Sequence, residues 1–205
     1  MDESSRLHDL YDHQILDSNP EKIFDELTYL ASLICGTPIS LFSLLDKDRQ
    51  WFKSVYGIEL KETSRADGFC HYLLDGATSL FEINDATNDP RFKDSPLVEG
   101  FPYISYYAGA PIKSASGNIL GALCVIDQKP NSLNDHQKKA LQILAGKATN
   151  YLKTRKALID QQKNIELNAS RLKQILDNTP GVIFQLRIQG DIDLSFDFIS
   201  RGIED

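Results

Sequence analysis

The chain has 205 residues, of which 41% are hydrophobic and 25% are charged, a composition typical of a globular protein. Its 29 acidic and 22 basic residues give a net charge of −7, which disfavours binding to nucleic acid or to anionic lipid. No apolar run approaches the roughly 20 residues of a membrane-spanning helix, and the polar first residues are unlike a signal peptide. We therefore predict no nucleic-acid partner and no membrane segment.

The three cysteines indicate reduced thiols rather than disulfides. Cys35, Cys70 and Cys124 are odd in number, far apart in sequence and surrounded by apolar residues. Such thiols are typical of a reducing compartment, so we expect the protein to be cytoplasmic.

The first predicted helix begins near Asn19 and Pro20 and ends near Cys35. Asparagine can cap free amides, and proline is tolerated at the first helical position because it needs no hydrogen-bond donor there. Apolar residues follow at helical spacing, and Gly36 stands where a left-handed terminating residue is expected. The apolar face of this helix must pack on a sheet.

Five segments have the composition of β-strands. They lie at 39–45, 51–56, 79–83, 104–113 and 119–127. The last of them is apolar at almost every position, which indicates a strand buried on both faces. A sheet covered on two sides needs helices on both, so the sequence predicts an α+β fold.

A long helix is predicted between Asn131 and Thr179, because this stretch contains no proline and a single glycine, Gly146. Asn134 and Gln137 have the spacing of a capping box. At 1.5 Å per residue, a helix over 134–178 would be about 67 Å long. A helix of that length exceeds what one small domain can cover.

Two series of residues recur every seven positions along this helix, and one series is apolar whereas the other is mixed. One series contains Leu144, Tyr151, Leu158, Ile165 and Leu172; the other contains Leu141, Ala148, Arg155, Gln162, Ala169 and Leu176. Polar residues at core positions lower the stability of a coiled coil while fixing its register. The pattern favours a weak parallel dimer, although an antiparallel return of the helix onto its own domain also fits.

Two further strand-like stretches, 182–188 and 194–200, follow Pro180 and are separated by Gly190 and Asp191. Two strands cannot form a core of their own. We therefore expect the sequence to stop inside a second domain.

Many segments resemble, in order, the GAF domains of bacterial sensor histidine kinases and diguanylate cyclases. The matching residues are Tyr11, Ile15, Leu16, Asp17, Pro20, Glu21, Phe24, Asp25, Leu27, 34–39, Asp46, 48–54, Gly57, 69–71, Asp85, Ala86, Asp89, Arg91, Phe92, 96–98, 107–111, Gly117, 120–121 and 123–127. The resemblance covers roughly residues 6–155, and so many ordered segments are far more specific than one short motif.

The resemblance implies a six-stranded antiparallel sheet with helices on both faces, a ligand pocket beside the sheet and dimerisation through terminal helices. Leu172, 175–176, 180–184, 198–200, Gly202 and Ile203 similarly resemble the opening of a PAS domain. We therefore divide the chain into a GAF sensor domain (1–155), a signalling helix (134–178) overlapping its last helix, and the truncated start of a PAS domain with a partial β-hairpin (179–205).

The candidate ligand pocket is predicted from aromatic and polar residues near its expected position. The residues chosen are Trp51, Cys70, His71, Phe92, Tyr106 and Tyr107. Tyrosine and tryptophan combine apolar faces with hydrogen-bonding groups, which suits a pocket lining. Core packing is the alternative role for these aromatic residues, and a buried structural thiol is the alternative for Cys70.

Known cofactors of the family find little support. Phytochrome-like relatives carry a cysteine or histidine before the fourth strand, and residues 92–104 contain neither, so a bilin is not expected. The cyclic-nucleotide pattern of the family is matched only in part, by Asn88, Phe92 and Asp94. His8, His13, His71 and His136 show no spacing suited to a metal. The cofactor stays unknown and no metal site is predicted.

Free methionine sulfoxide reduction is an enzymatic alternative, since some GAF proteins perform it. This reaction needs clustered cysteines with an activated thiolate. Cys35 lies at a helix end and Cys124 in a central strand, so the sequence gives no sign that they cluster with Cys70.

Taken together, the residues predict a non-catalytic sensory module that binds an unknown small molecule, forms a homodimer through the long helix, and relays a signal to a PAS domain and an output domain. That output would be a histidine kinase of a two-component system, a diguanylate cyclase or a phosphodiesterase. The alternatives are a methionine sulfoxide reductase and a ligand-free dimerisation spacer.

Overall fold

A computed structural model describes residues 2–74, 79–178, 184–189 and 193–199. The chain forms two compact units, Met1–Lys156 and Ala157–Asp205. The first unit carries a six-stranded sheet and the second a two-stranded one.

The helices and strands alternate irregularly along the chain. The helices are α1 (Glu3–Asp12), α2 (Lys22–Cys35), a short 3-10 helix (Phe69–Leu73), α3 (Pro96–Glu99) and α4 (Asp135–Asn178). The strands are β1 (Ile39–Leu45), β2 (Arg49–Tyr56), β3 (Glu62–Ser64), β4 (Phe81–Ile83), β5 (Tyr106–Lys113), β6 (Ile119–Asp127), β7 (Phe184–Gln189) and β8 (Asp193–Ile199).

The large sheet has the strand order β3-β2-β1-β6-β5-β4, and all of its neighbouring strands are antiparallel. The predicted α+β class and six-stranded sheet are therefore confirmed. The residue pattern by itself had missed β3, because this edge strand contains only three polar residues and has no hydrophobic alternation.

Apolar side chains fill both sides of this sheet. One core contains residues of α1, α2 and α4, including Phe24, Ala31 and Leu141. The other lies beneath the 3-10 helix, α3 and the loops between them, and includes Phe69 and Val98. Because β1 and β6 are buried on both sides, their sequences are almost continuously apolar.

One end of α2 differs from the sequence prediction and the other agrees with it. Helix α2 begins at Lys22 with Glu21 at the capping position, so the predicted start at Asn19 and Pro20 is two residues too early. Helix α1 was not predicted at all. Gly36 ends α2 with φ of 67°, as expected for a left-handed terminating residue.

The predicted capping box begins α4. The Asn134 amide donates to Gln137 Oε1 and the Gln137 amide donates to Asn134 Oδ1, each over 3.0 Å. The first half of α4 packs on its own sheet through Leu141, Ala148 and Leu152, all fully buried. These residues belong to the part of the helix that was predicted to lie in the first domain, and α4 continues without a break to Asn178 instead of returning antiparallel. The heptad seam stays a prediction for residues 157–178.

Strands β7 and β8 form an antiparallel hairpin in the second unit. The predicted strands at 182–188 and 194–200 agree with β7 and β8, although residues 182, 183 and 200 lie outside the described part. In the described ranges, no helix is long and apolar enough to cross a membrane.

Two glycine substitutions should change stability in opposite directions. A Cβ at Gly121 would overlap the carbonyl oxygen of Ser43 on the neighbouring strand, whereas one at Gly146 in α4 would meet no atom within 4 Å. We expect Gly121→Ala to lower the free energy of unfolding by about 3 kcal/mol. Gly146→Ala should raise it by about 1 kcal/mol through helix propensity. Urea titration measures both, and equal effects would contradict the packing of β1 against β6.

Candidate ligand-binding site and helix root

The six predicted site residues lie on two different faces of the sheet. Trp51 and Tyr106 belong to the core beneath the helices, whereas Cys70, Phe92 and Tyr107 belong to the opposite core. Neighbouring residues of a strand point to opposite faces, so Tyr106 and Tyr107 cannot line one pocket. The structure therefore brings together only part of the predicted set.

Aromatic rings pack tightly in the core beneath the 3-10 helix and α3, here called the outer core. The Phe69 ring stacks on Phe92 at 4.5 Å and on Tyr107 at 5.3 Å between centroids. Tyr72 meets the Phe92 ring edge-on at 4.7 Å, and the Arg91 guanidinium lies 5.0 Å from the centroid of Phe92. Core packing, the alternative considered for these aromatic residues, describes Phe92 well.

A small cavity of about 20 Å³ lies between the sheet and the overlying loops. Its lining residues are Leu41, Gln50, Phe52, Ile58, Leu60, Thr63, Gly68, Phe69, Leu97, Pro102, Ile104, Tyr107, Cys124 and Ile126. This volume is close to that of a single water molecule. Of the predicted site residues, Tyr107 is in the lining, and the cavity would have to open to take a larger molecule.

Two polar atoms of this lining have no hydrogen-bond partner among the described residues. They are Gln50 Oε1 and Thr63 Oγ1. Gln50 and Thr63 are opposite each other in the pairing of β2 with β3. A buried acceptor without a partner costs about 1–3 kcal/mol, so a group that reached these oxygens would gain a hydrogen bond. Neither residue is among the six predicted from the sequence.

Cys70 and Cys124 lie together, contrary to the expectation from sequence. The Cys70 thiol is 3.0 Å from the Tyr107 hydroxyl and 3.1 Å from the Ser43 hydroxyl, and it interacts with Cys124. Cys35 lies in the other core. The two thiols meet because the 3-10 helix folds over the centre of the sheet, a long-range contact that sequence spacing does not contain.

The surroundings of the two thiols shift their pKa values in opposite directions. The hydrogen bond with Cys70 and burial raise the pKa of the Cys124 thiol well above its ordinary value. Burial and the adjacent thiols likewise raise the pKa of Tyr107. Burial also raises the pKa of Cys70, but hydrogen bonds with Cys124, Ser43, Tyr107 and Gln50 outweigh it and lower that pKa, although none of these groups is a cation. A reactive cysteine is normally activated by a positive charge or a base.

His71 lies at the margin of the outer core. Its Nδ1–H donates to the Gly68 carbonyl oxygen over 2.6 Å, and its ring contacts Tyr72. Within the described ranges, no three His, Cys, Asp or Glu side chains are grouped closely enough to hold a metal ion. The geometry gives His71 a role in fixing the 3-10 helix.

A charged cluster, here called the helix root, joins the sheet to α4 and consists of Lys53, Glu21, Tyr151 and Arg155. Lys53 Nζ lies 2.8 Å from Glu21 Oε1 and has a fully buried side chain. Arg155 Nη1 donates to the same oxygen over 2.9 Å, and the Tyr151 hydroxyl donates to Glu21 Oε2 over 2.9 Å. Glu21 therefore binds β2 and α4 at once.

Two heptad positions, Tyr151 and Arg155, contact the domain itself rather than a second helix. Arg155 also donates to the carbonyl oxygens of His13 and Gln14, and the Tyr151 ring packs edge-on against Phe24 at 5.2 Å. These residues are thus engaged with their own domain. An arginine at a core position of a coiled coil is unusual, and it is the one sign of this arrangement in the sequence. Its partner could not be predicted, because Glu21 lies 134 residues away.

Comparison with known proteins identifies the fold. The family model for the GAF domain matches residues 19–152. The chain belongs to the GAF domain family. The match covers the whole sheet and α4 as far as Leu152, so it contains every residue that lines the cavity and every residue of the helix root except Arg155.

One curated relative extends the similarity beyond the GAF domain. The cyclic di-GMP phosphodiesterase PA2567 of Pseudomonas aeruginosa is 36% identical over 194 residues, which is 94% of this chain and 30% of the relative. This chain therefore spans less than a third of the relative's length.

Solved structures support the same fold at low sequence identity. The GAF domain of an Acinetobacter phosphoenolpyruvate-protein phosphotransferase is 14% identical, with a TM-score of 0.54 over 76% of this chain and 98% of that one. The photosensory core module of the Stigmatella aurantiaca phytochrome is 9% identical, with a TM-score of 0.58 over 86% of this chain and 42% of that one. At these identities the likeness concerns the GAF fold alone.

The helix root predicts a pH-dependent contribution to stability. Burial raises the pKa of Glu21, but hydrogen bonds from Lys53 and Tyr151 and the charges of Lys53 and Arg155 outweigh it, so that the pKa lies below its ordinary value of 4.5. The carboxylate therefore stabilises the GAF domain above about pH 4.5, and this contribution is lost as the pH falls through the lower pKa of the folded state.

We expect Glu21→Gln to lower the free energy of unfolding at pH 7 by about 2 kcal/mol, because it leaves the buried ammonium of Lys53 without its counter-charge. The resulting decrease in Tm, about 6 °C, should become smaller below pH 4.5. Glu26→Gln is the matched control, since Glu26 is exposed on α2 with a single partner, Lys22. Equal effects of both variants in thermal unfolding would contradict this role of Glu21.

Proposed function

We propose that this chain is the sensory input module of a bacterial signal-transduction protein that makes or degrades cyclic di-GMP. The similarity to a cyclic di-GMP phosphodiesterase supports this assignment, because it includes almost the whole chain. The output activity would belong to a part of the protein outside these 205 residues. Within them the GAF domain acts as a regulator and not as an enzyme.

The proposed signal passes along α4. The helix root holds Tyr151 and Arg155 one turn before the second unit begins. Beyond it, Leu158, Ile165 and Leu172 repeat every seven residues and are 60%, 55% and 61% exposed. A stripe with this period is buried when a second helix packs against it, so we propose a parallel homodimer through residues 157–178.

The hairpin of β7 and β8 is proposed to open a PAS domain. Its two strands come after α4 in the chain, and the resemblance of residues 180–184 and 198–200 to the opening of a PAS domain supports the proposal. A two-stranded sheet is marginally stable alone and needs further strands to bury a face. The relay would therefore run from the GAF domain through α4 into a PAS domain and then to the output.

The two alternative functions differ in their support. The contact between Cys70 and Cys124 and the lowered pKa of Cys70 favour a methionine sulfoxide reductase. The groups around Cys70, however, supply no base or positive charge to activate a thiolate. A ligand-free dimerisation spacer is consistent with the small volume of the cavity. The unpaired oxygens of Gln50 and Thr63 favour a sensor over a spacer, because a ligand could supply their missing hydrogen bonds.

The proposed dimer predicts a change in molecular mass. Replacing both Leu158 and Ile165 with aspartate places two negative charges of each helix in the seam. We therefore expect light scattering to show that the purified chain changes from dimer to monomer. The matched control replaces Asn164 and Ser170 with aspartate, which adds the same charge away from the seam and should leave the dimer intact. A wild-type chain that is monomeric at micromolar concentration would refute the proposal.

The relay predicts a dependence on helical phase. In the full-length protein, seven residues inserted after Lys163 keep the seam in register, whereas four residues rotate the output by about 40° relative to the GAF domain. We expect the four-residue insertion to change the rate of cyclic di-GMP turnover several-fold and the seven-residue insertion to preserve it. Turnover that responds equally to both insertions would contradict signalling through α4.

A further inference from the structure

We propose that the cavity beside Gln50 binds a compact, uncharged and mainly apolar molecule that donates a hydrogen bond to Gln50 Oε1. The inference rests on the proposed sensory function and specifies the chemistry of its ligand. It follows from three features of the described residues: an unpaired buried acceptor, an apolar lining and a half-buried covering segment.

Gln50 is buried in the wall of the cavity, and its side-chain oxygen has no hydrogen-bond partner among the described residues. The residue is 4% exposed and lines the cavity together with Gly68. Its Oε1 lies close to where a Cβ at residue 68 would stand, so the glycine leaves room for the oxygen in this position. A ligand that supplies a donor to Oε1 would recover the energy of an unmade hydrogen bond.

Thr63 extends this polar patch across the edge of the sheet. Its Oγ1 is buried and also lacks a partner, and its hydroxyl can donate or accept. Because Thr63 is paired with Gln50 across β2 and β3, the two oxygens share one side of the cavity. A ligand with one N–H or O–H group can therefore be oriented by two neighbouring oxygens.

The rest of the lining excludes charged ligands. Among the described residues, the cavity includes no charged side chain, and most of its surface belongs to groups such as Leu41, Phe52 and Ile126. An ion moved into such surroundings without a partner loses its hydration at a cost of several kcal/mol. Nucleotides, cyclic dinucleotides and zwitterionic amino acids are thereby disfavoured, which separates the input ligand from the substrate of the proposed output.

A ligand would enter by displacing the half-buried cover. Ile58 and Leu60 lie in the connection between β2 and β3, line the cavity and are partly exposed. Outward rotation of these two side chains would enlarge the volume of about 20 Å³ without changing the strands. Because β2 also carries Lys53 of the helix root, a ligand against Gln50 would act on a strand that contacts α4 through Glu21.

Pyrrole and furan make a matched test, since the two rings have almost the same size and differ in the N–H group. We expect pyrrole to bind the chain at least tenfold more tightly than furan in ligand-observed NMR, and to raise Tm where furan does not. Gln50→Met removes the acceptor at similar volume and should abolish this preference while raising Tm without ligand. Thr63→Val is the second variant, and it should reduce the preference.

Three outcomes would overturn the inference. Equal binding of furan and pyrrole would show an apolar void without hydrogen-bond selection. An unchanged preference in both Gln50→Met and Thr63→Val would place the ring elsewhere. Binding of neither ring would leave a site for a buried water only. Each of these leaves the light-scattering and insertion experiments untouched, so failure of the ligand inference is distinguishable from failure of the proposed relay.

Discussion

The arrangement of this GAF domain depends on one buried ion cluster, in which the carboxylate of Glu21 is shared by Lys53 and Arg155. Lys53 also donates to Ser18 Oγ and to the Asn19 carbonyl oxygen, so the segment before α2 serves as a polar socket for its ammonium group. A buried ammonium is tolerated only when its donors are satisfied in this way. The same socket holds the chain just before α2, which begins at Lys22 after Glu21 in an extended backbone conformation.

Strand β2 links the two sides of the sheet. Gln50 and Phe52 face the cavity, while Trp51 packs in the core beneath the helices and Lys53 enters the helix root. The two environments are three residues apart on a single rigid element. A displacement of β2 at the cavity would therefore alter the distance between Lys53 and Glu21, and the Coulomb energy of an ion pair varies inversely with that distance. The proposed coupling would need no chain of flexible contacts across the domain.

Local features of the sequence were sufficient for much of the fold. The capping box of Asn134 with Gln137, the terminating Gly36 and the apolar strands could all be recognised, because each depends on neighbours within a few residues. Strand β3 and the meeting of Cys70 with Cys124 depend on contacts between distant segments, and no local pattern encodes them. The alternation of a strand already separates Tyr106 from Tyr107, so their positions on opposite faces could be predicted from the sequence.

The change in α4 from domain helix to proposed signalling helix follows from what each turn contacts. Up to Arg155 its inward positions are satisfied by the domain, through apolar burial at Leu141 and Ala148 and through ion pairing at the helix root. From Leu158 the apolar series continues at the same period, with Gln162 and Ala169 at the other core position. A seam with a polar amide and a small residue is weak, so two arrangements of the helices would differ little in free energy. A modest ligand-dependent bias at the helix root is then large enough to shift the population between them.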